Sequence, residues 1–315
     1  MKILITGVHG FVGSNLVKYL APANEIYGLD IIAPEKEGVV KTYSWDDLDA
    51  GRVPEVDAIV HLAGKAHDTK NQAAAEVYFK VNTGLTQKMF DYFLAHLEIK
   101  KFVFFSTAKA AADKVDGVLT EEVVPAPVGP YGESKIAAER YILGVLKEKA
   151  DQMKNRGVYI FRPCMIHGPG NKGNLNLLYN VVRKGIPWPL GAFENKRTFT
   201  SVENICFAVN GVLAKDVPSG IYNMGDDEAL STNELIEEIC KSLGKKAHIW
   251  RLPKGLMNGV AKVGGWLHLP LNPERLRKLT ENYISSNAKI KKALGVERMP
   301  VDAREGLKRT LESFK

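Results

Sequence analysis

Tyr131 and Lys135 stand four residues apart in the run Tyr131-Gly132-Glu133-Ser134-Lys135. Residues at that spacing share a helix face, so the phenol and the ammonium point the same way. A nearby cation lowers a phenol's pKa and makes tyrosine a usable base near neutral pH. Alone the pair is a weak signal, because Tyr and Lys are common on solvated helix faces. Thr107 strengthens it. It follows an apolar strand, lies 24 residues upstream of Tyr131, and brings a hydroxyl that can hold a substrate oxygen.

A second pattern concerns anions. Gly7-Val8-His9-Gly10-Phe11-Val12-Gly13 follows a strand and opens a helix, with glycine spacing GxxGxxG. Glycine lets the backbone turn sharply and lets a diphosphate approach the helix N-terminus, where free N–H groups and the dipole favour negative charge. Seventeen residues after Gly13, Asp30 ends the second strand. A carboxylate there can accept both hydroxyls of an adenosine ribose and repels a 2′-phosphate. Glycine-rich turns also occur without ligands; strand, helix and Asp30 together favour the dinucleotide.

The elements that must position these groups are legible as periodicity. Lys2 to Thr6, Glu25 to Leu29, Ala58 to Leu62, Phe102 to Phe105 and Val158 to Phe161 are short, largely apolar runs, as expected for strands covered on both faces. Helical stretches lie between them at Phe11 to Leu20, Glu76 to Leu97 and Tyr131 to Met153. Strands alternating with helices predict an α/β fold with a doubly wound parallel sheet. After Pro163 the pattern changes to loops, a helix over Leu175 to Lys184, short strands near Phe199 to Val202 and Ile221 to Met224, and a mostly helical, basic end. Ser231 and Glu234 predict a capping box.

The chain has 315 residues, 45 % hydrophobic and 25 % charged, which excludes long disorder, collagen and coiled coil. The net charge of +7 is uneven: residues 241–315 hold 17 Lys+Arg against 6 Asp+Glu. A basic end beside a neutral body points to an anionic partner; phosphate-bearing small molecules, RNA and acidic lipids all qualify. Cys164, Cys206 and Cys240 form no CxxC pair, which predicts a reducing compartment, the cytoplasm. The start Met1 to Gly7 does not read as a signal peptide, and no run approaches a membrane span. The seven histidines show no metal-ligand spacing, so no catalytic metal is expected. The apolar stretch Leu256 to Leu269, with Trp266, reads as a cleft wall or core helix, with a membrane-surface contact as the less favoured alternative.

In order, the chain presents Thr6 to Gly13 as TGxxGFxG, Asp30, Asp57 to Gly64, Val81-Asn82-Thr83-Gly84, Phe104 to Thr107, Tyr131 with Lys135, Arg162-Pro163, Gly168-Pro169-Gly170, and Arg197 with Val202 and Asn204. This succession resembles the extended short-chain dehydrogenase/reductases of the nucleotide-sugar epimerase/dehydratase type over nearly the whole chain. The resemblance implies a Rossmann-like domain over residues 1–163, to which about 197–224 returns. It also implies a smaller, discontinuous substrate domain made of 164–196 and 225–315. Gly7, Gly10, Phe11, Val12 and Gly13 would wrap the diphosphate of NAD, and Asp30 would hold its ribose. Leu62, Ala63, Gly64, Asn82 and Pro163 would complete the cofactor side. Tyr131 would be the acid/base, Lys135 would hold the nicotinamide ribose and acidify Tyr131, and Thr107 would bind the reacting oxygen. Arg197 would grip a nucleotide-sugar phosphate, as a forked guanidinium does well. Lys109 and Asn174 are further substrate-contact candidates, against simple surface or loop-capping roles. A homodimer through the helices Glu76 to Leu97 and Tyr131 to Met153 is also implied, with core packing as the competing reading.

Departures from the family pattern sharpen the reading. Ala108-Lys109 stands where sugar dehydratases carry Asp-Glu, which argues against dehydration. Met165 and His167 replace the asparagine and tyrosine of many 4-epimerases. The run Gly170 to Asn174, followed by Pro189-Leu190-Gly191 and Asn195-Lys196-Arg197, is similar to a subgroup that includes reductases of UDP-4-keto-6-deoxy-N-acetylhexosamines. The first expectation is an NAD-dependent UDP-sugar 4-epimerase working through a transient 4-keto sugar. The alternatives are a 4-ketoreductase on a related sugar and, from another class, a non-catalytic dinucleotide sensor or RNA-binding protein. The intact Thr107, Tyr131 and Lys135 argue against the last, so nucleic acid is not an expected partner; with no span-length apolar run and a cleft-wall or core reading of Leu256 to Leu269, neither is a membrane.

Overall fold

The computed structural model describes residues 1–66, 74–171, 173–267 and 271–315. The first half of the chain alternates as its apolar runs predict: β1 (Lys2–Thr6), α1 (Phe11–Leu20), β2 (Glu25–Leu29), β3 (Lys41–Tyr43), α2 (Trp45–Asp49) and β4 (Ala58–His61). Then come α3 (Ala75–Tyr78), α4 (Leu85–Ala95), β5 (Lys101–Phe105), a two-residue β6 (Val118–Leu119) and α5 (Pro130–Glu148). The second half holds β7 (Gly157–Pro163), β8 (Met165–His167), α6 (Asn174–Arg183), β9 (Arg197–Ser201), α7 (Val202–Ala214), β10 (Gly220–Met224) and β11 (Ala229–Leu230). It ends with α8 (Thr232–Ser242), α9 (Lys254–Trp266), α10 (Pro273–Thr280), β12 (Ile284–Ser285), α11 (Ala288–Leu294) and α12 (Ala303–Glu312).

Seven strands form one parallel sheet in the order β10-β7-β5-β4-β1-β2-β3. The chain winds outward in both directions from the β1–β4 pair, and the C-terminal ends of those two strands are the switch point at which such sheets bind ligands. Alternate side chains serve opposite faces, as strand geometry requires. Ile3, Ile5, Val60, Val103 and Phe161 pack against α1, α7 and α11. Leu4, Ile59, Phe102, Phe104 and Ile160 pack against α4 and α5. This is the doubly wound α/β fold expected from the sequence.

A separate apolar cluster lies in the later segments and joins α6, α8, α9, α10 and α12 around Phe199, Leu230 and Leu235. Ser231 and Glu234 form the expected capping box at the start of α8. Helix α9 is only half absorbed by this cluster. Met257 and Ala261 are buried, whereas Leu256, Val260, Val263, Trp266 and Leu267 are exposed, which corrects the core-helix expectation for this stretch. His268 and Leu269 of that stretch lie outside the described residues.

Between α3 and α4 the helix expected over Glu76 to Leu97 widens into a π-helical turn, Phe79–Gly84. Such turns are rare and frequent at functional sites. This one carries Asn82, fully buried.

Candidate functional site

The glycine-rich turn is built for a close backbone approach. Gly7 takes φ +68°, a left-handed conformation that glycine adopts freely. A Cβ at Gly13 would stand 2.4 Å from the Gly7 carbonyl oxygen, so only glycine lets the first turn of α1 fold against the loop. Gly10, the N-cap, makes no side-chain capping bond, which leaves the helix end free to meet an anion. Asp30 is held facing this turn: its Oδ2 accepts the His9 amide at 3.0 Å and its Oδ1 the Ile31 amide at 2.7 Å. Phe11 packs toward the Gly168-Pro169-Gly170 loop, and Asn15 donates to the Pro169 carbonyl at 3.0 Å. Pro163, buried at the end of β7, pairs with Met224.

A buried chain of hydrogen bonds leads from this turn to the catalytic candidates. Thr6 Oγ1 accepts the amides of Leu62 and Ala63 at 3.1 and 3.0 Å, so its own hydrogen goes to His61 Nδ1 at 2.7 Å. His61 Nε2–H then donates to Thr86 Oγ1 at 3.0 Å, whose hydrogen goes to the Asn82 carbonyl at 2.7 Å. Burial, with the Lys135 charge adding to it, holds the His61 pKa down at about 3, consistent with this neutral tautomer. The Asn82 amide closes the circuit. Its Oδ1 accepts the Lys65 amide at 2.7 Å, and its Nδ2 donates to the Lys65 carbonyl at 3.1 Å and to Ser134 Oγ at 2.9 Å. Ser134 Oγ donates in turn to the Tyr131 carbonyl at 2.9 Å. A Cβ at Gly64 would lie 2.9 Å from Asn82 Oδ1 and 3.1 Å from Lys135 Nζ, which places Gly64, Asn82 and Lys135 side by side.

Helix α5 begins with Pro130 at its first turn, directly before Tyr131. Gly132 lets that turn touch the short helix after Thr107, since a Cβ there would meet the Lys109 carbonyl oxygen at 2.7 Å. Tyr131 is thereby brought beside Thr107. Burial raises the Tyr131 pKa above its usual 10.0, and the Thr107 hydroxyl opposes that rise. Lys135 is 4 % exposed and donates to the Phe105 carbonyl at 2.8 Å. Burial lowers its pKa to about 8, against the pull of Glu139. The net shift of Tyr131 is therefore upward, opposite to the acidification expected from Lys135: desolvation of the phenol dominates, and Lys135 is turned to the backbone of β5.

Two further buried residues support α5. Glu139 lies one helical turn beyond Lys135 and is gripped by Arg162, with Nε at 3.0 and 3.1 Å and a terminal nitrogen at 2.5 Å. The Ser106 hydroxyl also donates to Glu139. Sequence reasoning did not single out Glu139, although the i, i+4, i+8 spacing of Tyr131, Lys135 and Glu139 is the signal that finds it.

The substrate-side candidates form a looser group. Lys109 pairs with Asp113 at 2.5 Å and lies 5.4 Å over the Tyr283 ring. Arg277, not foreseen, approaches Asp113 at 3.5 Å and Glu281 at 3.9 Å. Arg197 donates to the Lys278 carbonyl, and burial lowers its pKa against the pull of Glu281. Asn174 is exposed on the first turn of α6, and no hydrogen bond joins it to this group among the described residues. Lys172, in the same loop, lies outside the described residues. Among the described residues no cluster of His, Cys, Asp and Glu could hold a metal ion.

This geometry coincides with a family match. The model of the NAD dependent epimerase/dehydratase family matches residues 3–225. The chain belongs to this family. A UDP-glucose 4-epimerase of Vibrio cholerae is 30 % identical over 268 residues, 80 % of this chain and 78 % of that protein. An Escherichia coli O157:H7 protein, N-acetyl-alpha-D-glucosaminyl-diphospho-ditrans,octacis-undecaprenol 4-epimerase, is 28 % identical over 303 residues, 92 % of this chain and 85 % of that one. Among solved structures, the UDP-glucuronic acid 4-epimerase from Bacillus cereus in complex with NAD superposes with a TM-score of 0.75 at 20 % identity, covering 100 % of this chain and 98 % of that one. The chain is thus an NAD-dependent enzyme of the epimerase/dehydratase family, and the glycine cradle and Asp30 fit that cofactor.

Proposed function

We propose that the protein is a nucleotide-sugar 4-epimerase acting on a UDP-hexose or UDP-N-acetylhexosamine. The observation that carries this reading is the start of α5, with Tyr131, packed against the short helix after Thr107, and the buried Lys135 one turn further on, all at the strand ends. Gly7, Gly10, Phe11, Val12 and Gly13 would hold the cofactor diphosphate. Asp30 would hold the adenosine ribose, and Leu62, Ala63, Gly64, Asn82, Lys135 and Pro163 would border the nicotinamide half. When bound, NAD supplies an acceptor and donor of hydride.

Thr107 holds the sugar 4-oxygen against Tyr131. The phenolate takes the hydroxyl proton and later returns it, so the same group serves as base and then as acid. Lys135 would favour the phenolate once its ammonium turns from the Phe105 carbonyl to the site. Arg197, Lys109 and Asn174 would meet the diphosphate and the sugar. The division into a cofactor domain (1–163 with 197–224) and a sugar domain (164–196 and 225–315), a homodimer through α4 and α5, and a cytoplasmic location belong to the same proposal. The three buried free cysteines support the location.

The test is turnover without added cofactor. An epimerase equilibrates UDP-glucose with UDP-galactose, or the N-acetyl pair, and leaves added NADH untouched. Consumption of NADH with a 4-keto sugar, and no equilibration, would identify a ketoreductase instead. A second reading changes only the carrier: the sugar sits on a polyprenyl diphosphate, as in the name of the E. coli relative. The exposed apolar face of α9 favours it, and faster turnover of the lipid-linked sugar than of the UDP-sugar would support it.

A further inference from the structure

Helix α9 has two apolar faces. Met257, Ala261 and Gly264 are buried against the later core. Leu256, Val260, Val263 and Leu267 recur at i, i+4, i+7 and i+11 and form a second stripe, about half exposed at 55, 47, 54 and 53 %. Trp266, 80 % exposed, flanks that stripe. A helix packed on a core by one stripe ordinarily turns polar residues to water; here the flank next to the buried stripe carries Leu256, Val260, Val263 and Leu267, and the side opposite it carries Gly255, Gly259, Lys262 and Trp266.

Along the chain, the helix and the stretch leading into it carry charge of one sign. Between Glu238 and Glu274 the chain has no carboxylate, whereas Lys241, Lys245, Lys246, Arg251, Lys254 and Lys262 are all exposed. Lys246, Arg251 and Lys262 make no ion pair among the described residues, and only Lys241, 3.8 Å from Glu238, has an acidic neighbour. Lys262 stands four residues before Trp266 and borders the stripe. At thirteen residues the helix is too short to span a bilayer, and among the described residues no helix is long and apolar enough to cross one.

We propose that α9 docks the later lobe onto an anionic lipid surface. The helix lies in the plane of the membrane. Leu256, Val260, Val263, Trp266 and Leu267 enter the boundary between headgroups and acyl chains, and Lys262 and the neighbouring cations meet lipid phosphates. A second copy of this chain is the poorer occupant, because a two-fold contact would set the same cations against one another.

Co-sedimentation with phosphatidylcholine vesicles, with and without phosphatidylglycerol, tests this. The full-length protein is expected to partition onto the anionic vesicles about tenfold more strongly than onto the neutral ones, and less so at high salt. Trp266→Glu should cut that partitioning about tenfold while the melting temperature stays unchanged, because Trp266 is 80 % exposed, and Val263→Glu should cut it similarly at a small cost in melting temperature; Trp266→Phe should retain it. Wild-type protein left in the supernatant with both vesicles would overturn the proposal. So would Trp266→Glu protein that sediments like wild type, or a sedimentation-velocity shift from dimer to monomer on that substitution.

Discussion

The two groups of candidate residues are built by different physics. On the cofactor side, Thr6, His61, Thr86, Asn82 and Ser134 are all fully buried and joined by successive hydrogen bonds of 2.7–3.1 Å. Among the substrate-side candidates and their neighbours, Lys109, Arg197, Arg277, Asp113 and Glu281 are only partly buried and are held by ion pairs and backbone contacts. A buried, satisfied network fixes one geometry, because any member left unpaired costs its full desolvation. Half-exposed ion pairs cost little to rearrange. The difference teaches that the backbone at Lys65 and Tyr131 is held in one geometry, while the groups proposed to meet a charged, variable sugar carrier are free to exchange partners.

The widest contrast should come from the reacting phenol. Tyr131→Phe is expected to lower kcat by about 10²–10⁴-fold with the melting temperature nearly unchanged. Retained turnover would remove Tyr131 from the chemistry. Next in size is the buried pair beneath it. Glu139→Leu strands the Arg162 guanidinium, whose side chain is 1 % exposed, and should cost about 3–5 kcal/mol in denaturant unfolding. Asn82→Ala frees the Lys65 amide and should cost about 1–3 kcal/mol, with a matching loss of kcat. On the opposite side, Lys109→Ala should leave stability within about 1 kcal/mol and act on KM rather than kcat. An equal stability loss at Lys109 and Asn82 would break the comparison.

The pH dependence sharpens it further. Folding lowers Lys135 from 10.5 to about 8, so across that window the unfolded chain binds the extra proton and stability rises with pH. Unfolding free energies measured between pH 8 and 10 should show this rise in the wild type and a smaller one in Lys135→Met. An identical slope in both would mean that Lys135 keeps its ordinary pKa.

The doubly wound sheet was legible because its strands are covered on both faces and read as largely apolar runs, as in Ala58 to Leu62 and Phe102 to Phe105. The glycine cradle, Asp30 and the Tyr131–Lys135 pair were legible because each depends on local spacing. The π-turn at Asn82 was not, since widening a helix by one residue leaves the apolar periodicity almost intact. Glu139 and Arg162 were missed as partners because their contact joins α5 to β7 across 23 positions. Arg277 was missed because only the fold brings α10 to Asp113. The exposed stripe on α9 was visible as apolar periodicity, but which of its two apolar faces is covered is decided by tertiary packing.

The central claim is that this site oxidises and re-reduces a sugar at C4 with a cofactor that never leaves. The most direct measurement is proton NMR of C4-deuterated UDP-glucose and UDP-N-acetylglucosamine mixed with purified protein and no added cofactor. The account predicts a galacto-configured product that keeps its deuterium at C4. Unchanged sugars, or a product that has lost the label to solvent, would contradict it.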